Sequence, residues 1–142
     1  MIGIVIVAHG GLAREYRAAV EHVVGAQPNM ATIAVGAEDD RAAKSREIVE
    51  AAVSVDQGDG VVVVSDIFGG SPSNLCASAC AFENRRFVYG ANLPLLIKLA
   101  KSRALAIDDA VAAALRAGHQ YMNSYDPRSE ASAVQAGKAA AS

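Results

Sequence analysis

No run of lysine or arginine resembling a phosphate-tracking stripe occurs in the 142 residues, and 13 basic side chains stand against 15 acidic ones for a formal net charge of -2. A chain so balanced has no positive stripe with which to track a phosphate backbone, which argues against nucleic acid as a partner. Long apolar runs are also missing. The opening stretch from Ile2 to Ala8 is far short of the about 20 residues a membrane helix needs, and it lacks the basic flank and cleavage pattern of a signal peptide. The expected location is the cytoplasm. Cysteine is scarce: Cys76 and Cys80 lie four apart on what reads as a helix, a spacing that suits a disulfide poorly. With no second Cys/His pair at zinc-like spacing, they read as reduced, small apolar side chains rather than metal ligands. Neither G-x-x-x-x-G-K-[ST] nor a G-x-G-x-x-G after the first strand is present, so ATP and NAD are not indicated and no cofactor is expected.

What the chain does have is a packed-domain composition, 52% hydrophobic and 20% charged residues, at a length that fits one domain. Short Val- and Ile-rich runs bounded by turn residues mark four strands: Ile2–Ala8, Ala31–Val35, Gly60–Asp66 and Arg86–Ala91. The stretches between them carry apolar residues at helical spacing, as in Leu12, Tyr16, Ala19, Val20, Val23 and Val24. A second helix is predicted from about Asp40 to Val53, capped by Asp39 or Asp40. A third should begin after Pro72 and a fourth after Pro94, and a fifth should run from about Asp108 to Ala117, ended by Gly118.

The first and third strand runs are apolar throughout, as strands covered on both faces must be. Strict alternation of strands and helices with right-handed crossovers then gives a doubly wound, flavodoxin-like α/β domain with a parallel sheet in order 2-1-3-4. No internal repeat is visible. From Asp126 the sequence DPRSEASAVQAGKAAAS offers little to bury. The domain is therefore expected to cover residues 1–125, with 126–142 a disordered tail.

In such a sheet, ligands bind beyond the carboxyl ends of the strands where strand order reverses. Two loops with unusual residues meet that description, VAHGG after the first strand and SDIFGGSPSN after the third, so His9 and Asp66 should face one crevice. A carboxylate bonded to one imidazole nitrogen fixes the tautomer and leaves the other nitrogen a lone pair. Gly10, Gly11, Gly69 and Gly70 let the backbone approach a ligand and aim N–H groups at an anion. Ser71 adds a hydroxyl, and Pro72 places a helix N-terminus beside the crevice. These features suit a phosphoryl group, with no metal site. Taken singly each has a plainer reading: a lone His at a strand end is more often structural, an Asp a cap, a Gly pair a turn. His22 and His119 keep that plainer reading. A receiver domain of the same fold class would need an acidic cluster where this chain has Ala8 and His9.

These residues resemble the IIA components of the mannose family of the bacterial phosphoenolpyruvate-dependent sugar phosphotransferase system. The VAHGG loop, the SDIFGGSPSN segment and GANLPLLIKL carry the likeness, which spans about residues 2 to 125. A D-x-x-G-G-[ST]-P-x-N pattern together with a His-Gly after an N-terminal strand is far more specific than either piece alone. The resemblance implies that His9 is the phosphorylated histidine, that Asp66 orients it, and that Gly69, Gly70, Ser71 and Pro72 surround the phosphate. It implies a phosphotransferase component that accepts a phosphoryl group from the phosphohistidine of HPr. The group then passes to a IIB partner without metal or nucleotide. A similar domain occurs in dihydroxyacetone kinase phosphotransfer subunits. It further implies that HQYMNSY, residues 119–125, forms an antiparallel edge strand exchanged within a homodimer. IIB is expected to be a separate protein, and the acceptor could equally be a regulatory one. The alternative is a tetrapyrrole metal chelatase-like domain, which also places a His-Gly turn after an N-terminal strand and would use His9 in metal insertion.

Overall fold

Three of the four strands are stretches rich in β-branched residues, because each such side chain buried on a pleated surface yields about 1.5–3 kcal/mol, enough to offset the roughly 1–2 kcal/mol of backbone entropy lost per residue. In the computed structural model, which describes residues 1–67, 70–82 and 84–128 (70–72 by backbone only), the chain alternates strand and helix until the last two helices. The elements are β1 (Gly3–His9), α1 (Leu12–Val24), β2 (Met30–Val35), α2 (Arg41–Val55), β3 (Val61–Ser65), α3 (Gly70–Ala79), β4 (Arg85–Val88), α4 (Leu93–Lys101) and α5 (Ile107–Gln120).

The sheet is parallel throughout, in the expected order β2-β1-β3-β4. Ile4, Ile6 and Ala8 of β1 and Val62 and Val64 of β3 pack with Ala13 and Val20 of α1, Leu95 and Leu99 of α4, and Ala110 and Ala114 of α5. The alternate residues Val5, Val7, Val61 and Val63 pack on the other face with Ile48 and Ala52 of α2 and with Leu75, Cys76 and Ala79 of α3. Both faces being covered is why these two strands carry no polar alternation.

The element boundaries bear out one sequence expectation, the cap of α2, and depart from others. Asp40 caps α2 through its carboxylate, which accepts from the N–H groups of Ala42 and Ala43. Helix α3 begins at Gly70, ahead of Pro72 rather than after it, since a proline in a first turn removes only an N–H that has no intrahelical partner. β4 stops at Val88, not Ala91: its last ladder pair with β3 is Val64–Val88, and Gly90, at φ +73°, turns the chain out of the extended conformation.

Gly118 does not end α5; the helix continues to Gln120. Its missing side chain serves packing: a Cβ there would sit 3.2 Å from Leu95 Cβ and 3.3 Å from Asn92 Oδ1. Asn92 caps α4 by accepting from the Leu95 N–H at 3.0 Å, and its amide donates to the Gly118 carbonyl at 3.0 Å, stitching α4 to α5. His119 and Gln120 of the anticipated edge strand are therefore helical, and 122–126 has neither helix nor strand in the single chain. Of the expected tail, residues 129–142 lie outside the described residues. Among the described residues no helix is long and apolar enough to cross a membrane.

Candidate functional site

β1 and β3 are neighbours, and their carboxyl ends deliver His9 and Asp66 side by side. His9 is the final residue of β1, and its backbone N–H donates to Asp66 Oδ2 at 3.1 Å while its ring Nδ1 lies 2.9 Å from the same oxygen. The imidazole is half exposed, with 52% of its side chain accessible, whereas the Asp66 side chain keeps only 10%. This is an exposed ring held by a buried carboxylate, with Nε2 left open.

Burial pushes the Asp66 carboxyl up, but the hydrogen bonds from the His9 ring and backbone, the attraction of His9 and the Ile67 N–H outweigh it. The net shift is downward, so Asp66 stays an anionic acceptor at neutral pH. A carboxylate can only accept, so the bond from Nδ1 requires the proton on Nδ1. In the neutral ring the lone pair is then on Nε2.

The turn after His9 needs glycine at one place. Gly10 has φ +56°, a left-handed conformation, and its N–H donates to the Val35 carbonyl at 3.1 Å, continuing the ladder with β2. Gly11 then occupies the N-cap of α1, where it offers no side chain to the first-turn N–H groups. Gly70, Ser71 and Pro72 make the first turn of α3, so a second helix start follows Asp66 closely in the chain. Gly69 of the expected phosphate loop lies outside the described residues.

Two residues that the sequence reading left without a role belong to this neighbourhood. The Tyr16 hydroxyl donates to the Ala91 carbonyl at 3.2 Å, tying α1 to the connection that leads into α4. Burial first, and then the nearby Asp66 charge, raise its pKa, so it remains a donor. Ser65, the last residue of β3, is fully buried beside Asp66. A hydroxyl at the end of an all-valine strand was its only sequence signal.

The remaining histidines are not gathered in. His22 sits in the last turn of α1, ten residues and so about 15 Å of helix beyond Leu12. His119 lines a cleft with Tyr89, Leu115 and Met122 against β4. Among the described residues no three His, Cys, Asp or Glu side chains cluster so as to hold a metal ion. Cys76 and Cys80 are both free thiols, Cys76 buried and Cys80 half-buried.

The family model described as the PTS system fructose IIA component, EIIA-man, matches residues 3–115. No curated protein matches the chain. Among solved structures, the chain is similar to the mannose/sorbose specific IIA subunit of the phosphotransferase system from Enterococcus faecalis, with 24% identity and a TM-score of 0.79. That likeness covers 88% of this chain and 95% of the other. It is also similar to the phosphotransferase system component EIIA from Streptococcus agalactiae, at 24% identity and TM-score 0.74 over 87% and 97% of the two chains. The PTS IIA protein associated with the fucose utilization operon of Streptococcus pneumoniae gives 24% and 0.71 over 85% and 91%. At these identities the structures speak for the fold, while the family match speaks for the lineage. With His9 and Asp66 paired at the switch point of a 2-1-3-4 sheet and the model matched over residues 3–115, the chain belongs to the EIIA-man family of phosphotransferase system IIA components.

Proposed function

We propose that the protein is a phosphohistidine carrier that accepts a phosphoryl group from HPr on Nε2 of His9 and hands it to a IIB component or regulatory protein. The observation that carries this reading is the 2.9 Å contact between His9 Nδ1 and Asp66 Oδ2 on an otherwise exposed ring. It supports Nε2 as the nucleophile, since Nδ1 is engaged by Asp66 and the ring is exposed to a protein donor.

The Nε2 lone pair attacks phosphorus in line with the breaking P–N bond of the donor. That bond's electron pair returns to the donor imidazole, and a new P–N bond forms on His9. The His9 ring gains positive character as it does so, and the Asp66 carboxylate stabilises it through the Nδ1 proton. Positioning and charge stabilisation do most of the work in such transfers. In this reading the stretch Gly69, Gly70 and Ser71 supplies backbone N–H groups to the phosphoryl oxygens, aided by the start of α3, while Gly10, whose own N–H is taken by Val35, leaves room for the group beside His9. The return step, transfer onward, is the same displacement with the acceptor as nucleophile.

We further infer a cytoplasmic homodimer. β4 is a sheet edge, and Tyr89 and Met122, 50% and 71% exposed, stand beside it with Leu115 along one apolar cleft. A sheet edge next to exposed apolar surface favours pairing with a second copy, and residues 122–125, which form neither helix nor strand, are the segment that would extend across it.

The test is to incubate the protein with phosphoenolpyruvate, enzyme I and HPr and to measure intact mass. One acid-labile phosphoryl group is expected on the parent chain and none on His9→Ala. Asp66→Asn should fold but accept the group roughly 10²–10⁴-fold more slowly, the range for loss of a group that orients or assists proton transfer. Phosphorylation of His9→Ala would overturn the assignment of the nucleophile.

A further inference from the structure

Ser65 follows four valines at the end of β3 and is 0% exposed. A hydroxyl so placed costs free energy unless it is bonded. Its Oγ lies 3.4 Å from Asp66 Oδ1 and 3.3 Å from the Ile67 carbonyl. The hydroxyl has one proton and these two acceptors, of which the carboxylate is the charged and therefore stronger one.

Asp66 needs such a contact. The torsion that turns a carboxylate about its Cβ–Cγ bond is soft, with no sharp staggered wells to fix it. Oδ2 is occupied by the two His9 donors, while Oδ1 receives the Ile67 N–H at 3.0 Å and the Ser65 hydroxyl. Donors on both oxygens and from both sides fix the plane of the group. Ser65 is itself fixed: its carbonyl accepts the Ala91 N–H at 3.1 Å, and the Ala91 carbonyl takes the Tyr16 hydroxyl. The β4–α4 connection thus braces the residue that braces the aspartate.

We propose that Ser65 is a positioning residue whose hydroxyl, donated to Oδ1 of Asp66, holds the carboxylate so that Oδ2 keeps His9 in the Nδ1–H tautomer with Nε2 open. Its functional meaning rests on the phosphocarrier reading, but the tautomer can be measured without any phosphoryl donor.

The experiment is nitrogen-15 NMR of the His9 ring in the unphosphorylated protein, alongside the rate of phosphoryl acceptance from HPr. Ser65→Ala should shift the ring toward the Nε2–H form and slow acceptance by about ten-fold, the factor equivalent to a hydrogen bond to a charged group, with KM for HPr unchanged. Ser65→Thr retains the hydroxyl and Ser65→Val replaces it at equal shape, so the pair isolates the proton from the packing. Threonine should keep the Nδ1–H signature and valine should lose it. If Ser65→Ala keeps the parent tautomer, or if Thr and Val behave alike, Ser65 does not position Asp66. If the parent protein shows the tautomer effect yet accepts no phosphoryl group, the carrier reading fails while the positioning role stands.

Discussion

One oxygen of Asp66, Oδ2, accepts from both the backbone N–H of His9, at 3.1 Å, and its ring Nδ1, at 2.9 Å. The first bond ties the carboxylate to the end of β1 and the second ties the ring to the carboxylate, so the imidazole is referenced directly to the sheet. Since Asp66 itself follows the end of β3, the pairing of the two central strands sets the site.

That bond makes part of the stability depend on pH. The folded Asp66 pKa lies below its ordinary value of about 3.9, so its contribution is complete above the unfolded pKa and is lost as pH falls through the lower, folded value. Comparing urea midpoints of the parent and Asp66→Asn should show a gap that is widest above about pH 4 and closes below it. A gap constant down to the most acidic measurable point would contradict the origin assigned to the shift.

The two thiols should be nearly inert in the folded state. Burial, with smaller contributions from Cys80 and Asp66, pushes Cys76 up to about 12; burial pushes Cys80 up to about 11 against the opposing pull of Arg85 and Arg86. Since the thiolate is the reactive species, alkylation at pH 8 should be slow for both and become fast only in denaturant. Rapid labelling of Cys76 in native buffer would show that α3 does not bury it as described.

Asn92 joins two helices with one amide, capping α4 and holding the carbonyl of Gly118. Asn92→Ala should cost about 1–2 kcal/mol, combining loss of a cap with an unmet carbonyl, measured by denaturant unfolding. Asn92→Asp should restore the cap but not the bond to Gly118, and so fall between the two. Equal stability of all three proteins would remove the helix-stitching role.

Light scattering at micromolar concentration is expected to return the mass of a dimer. A chain truncated near Pro127 should keep both that mass and its phosphoryl acceptance, because the residues removed have almost no apolar surface to bury. A monomeric mass for the intact chain would set aside the exchange of residues 122–125, and a monomer only after truncation would move the domain boundary.

The sequence by itself determined the strand and helix alternation, the 2-1-3-4 sheet and the adjacency of the His9 and Asp66 loops. Those follow from local patterns, namely unbroken apolar runs at Ile2–Ala8 and Val61–Val64, and from the handedness of parallel crossovers. What only the tertiary structure decided concerns contacts between elements distant in the chain. Gly118 looks like a helix stop because glycine often ends helices, but its role is set by how closely α4 crosses α5, which no local pattern records. Ser65 looks like the tail of a valine strand, and Tyr16 like one apolar position of an amphipathic helix. Their partners Asp66 Oδ1 and the Ala91 carbonyl become visible only once the strands are laid side by side. Which nitrogen of His9 is held is likewise a matter of geometry. A sequence can bring a histidine and an aspartate to one crevice, but the 2.9 Å approach of Nδ1 to Oδ2 depends on the register of β1 against β3 and on the donors that fix the carboxylate.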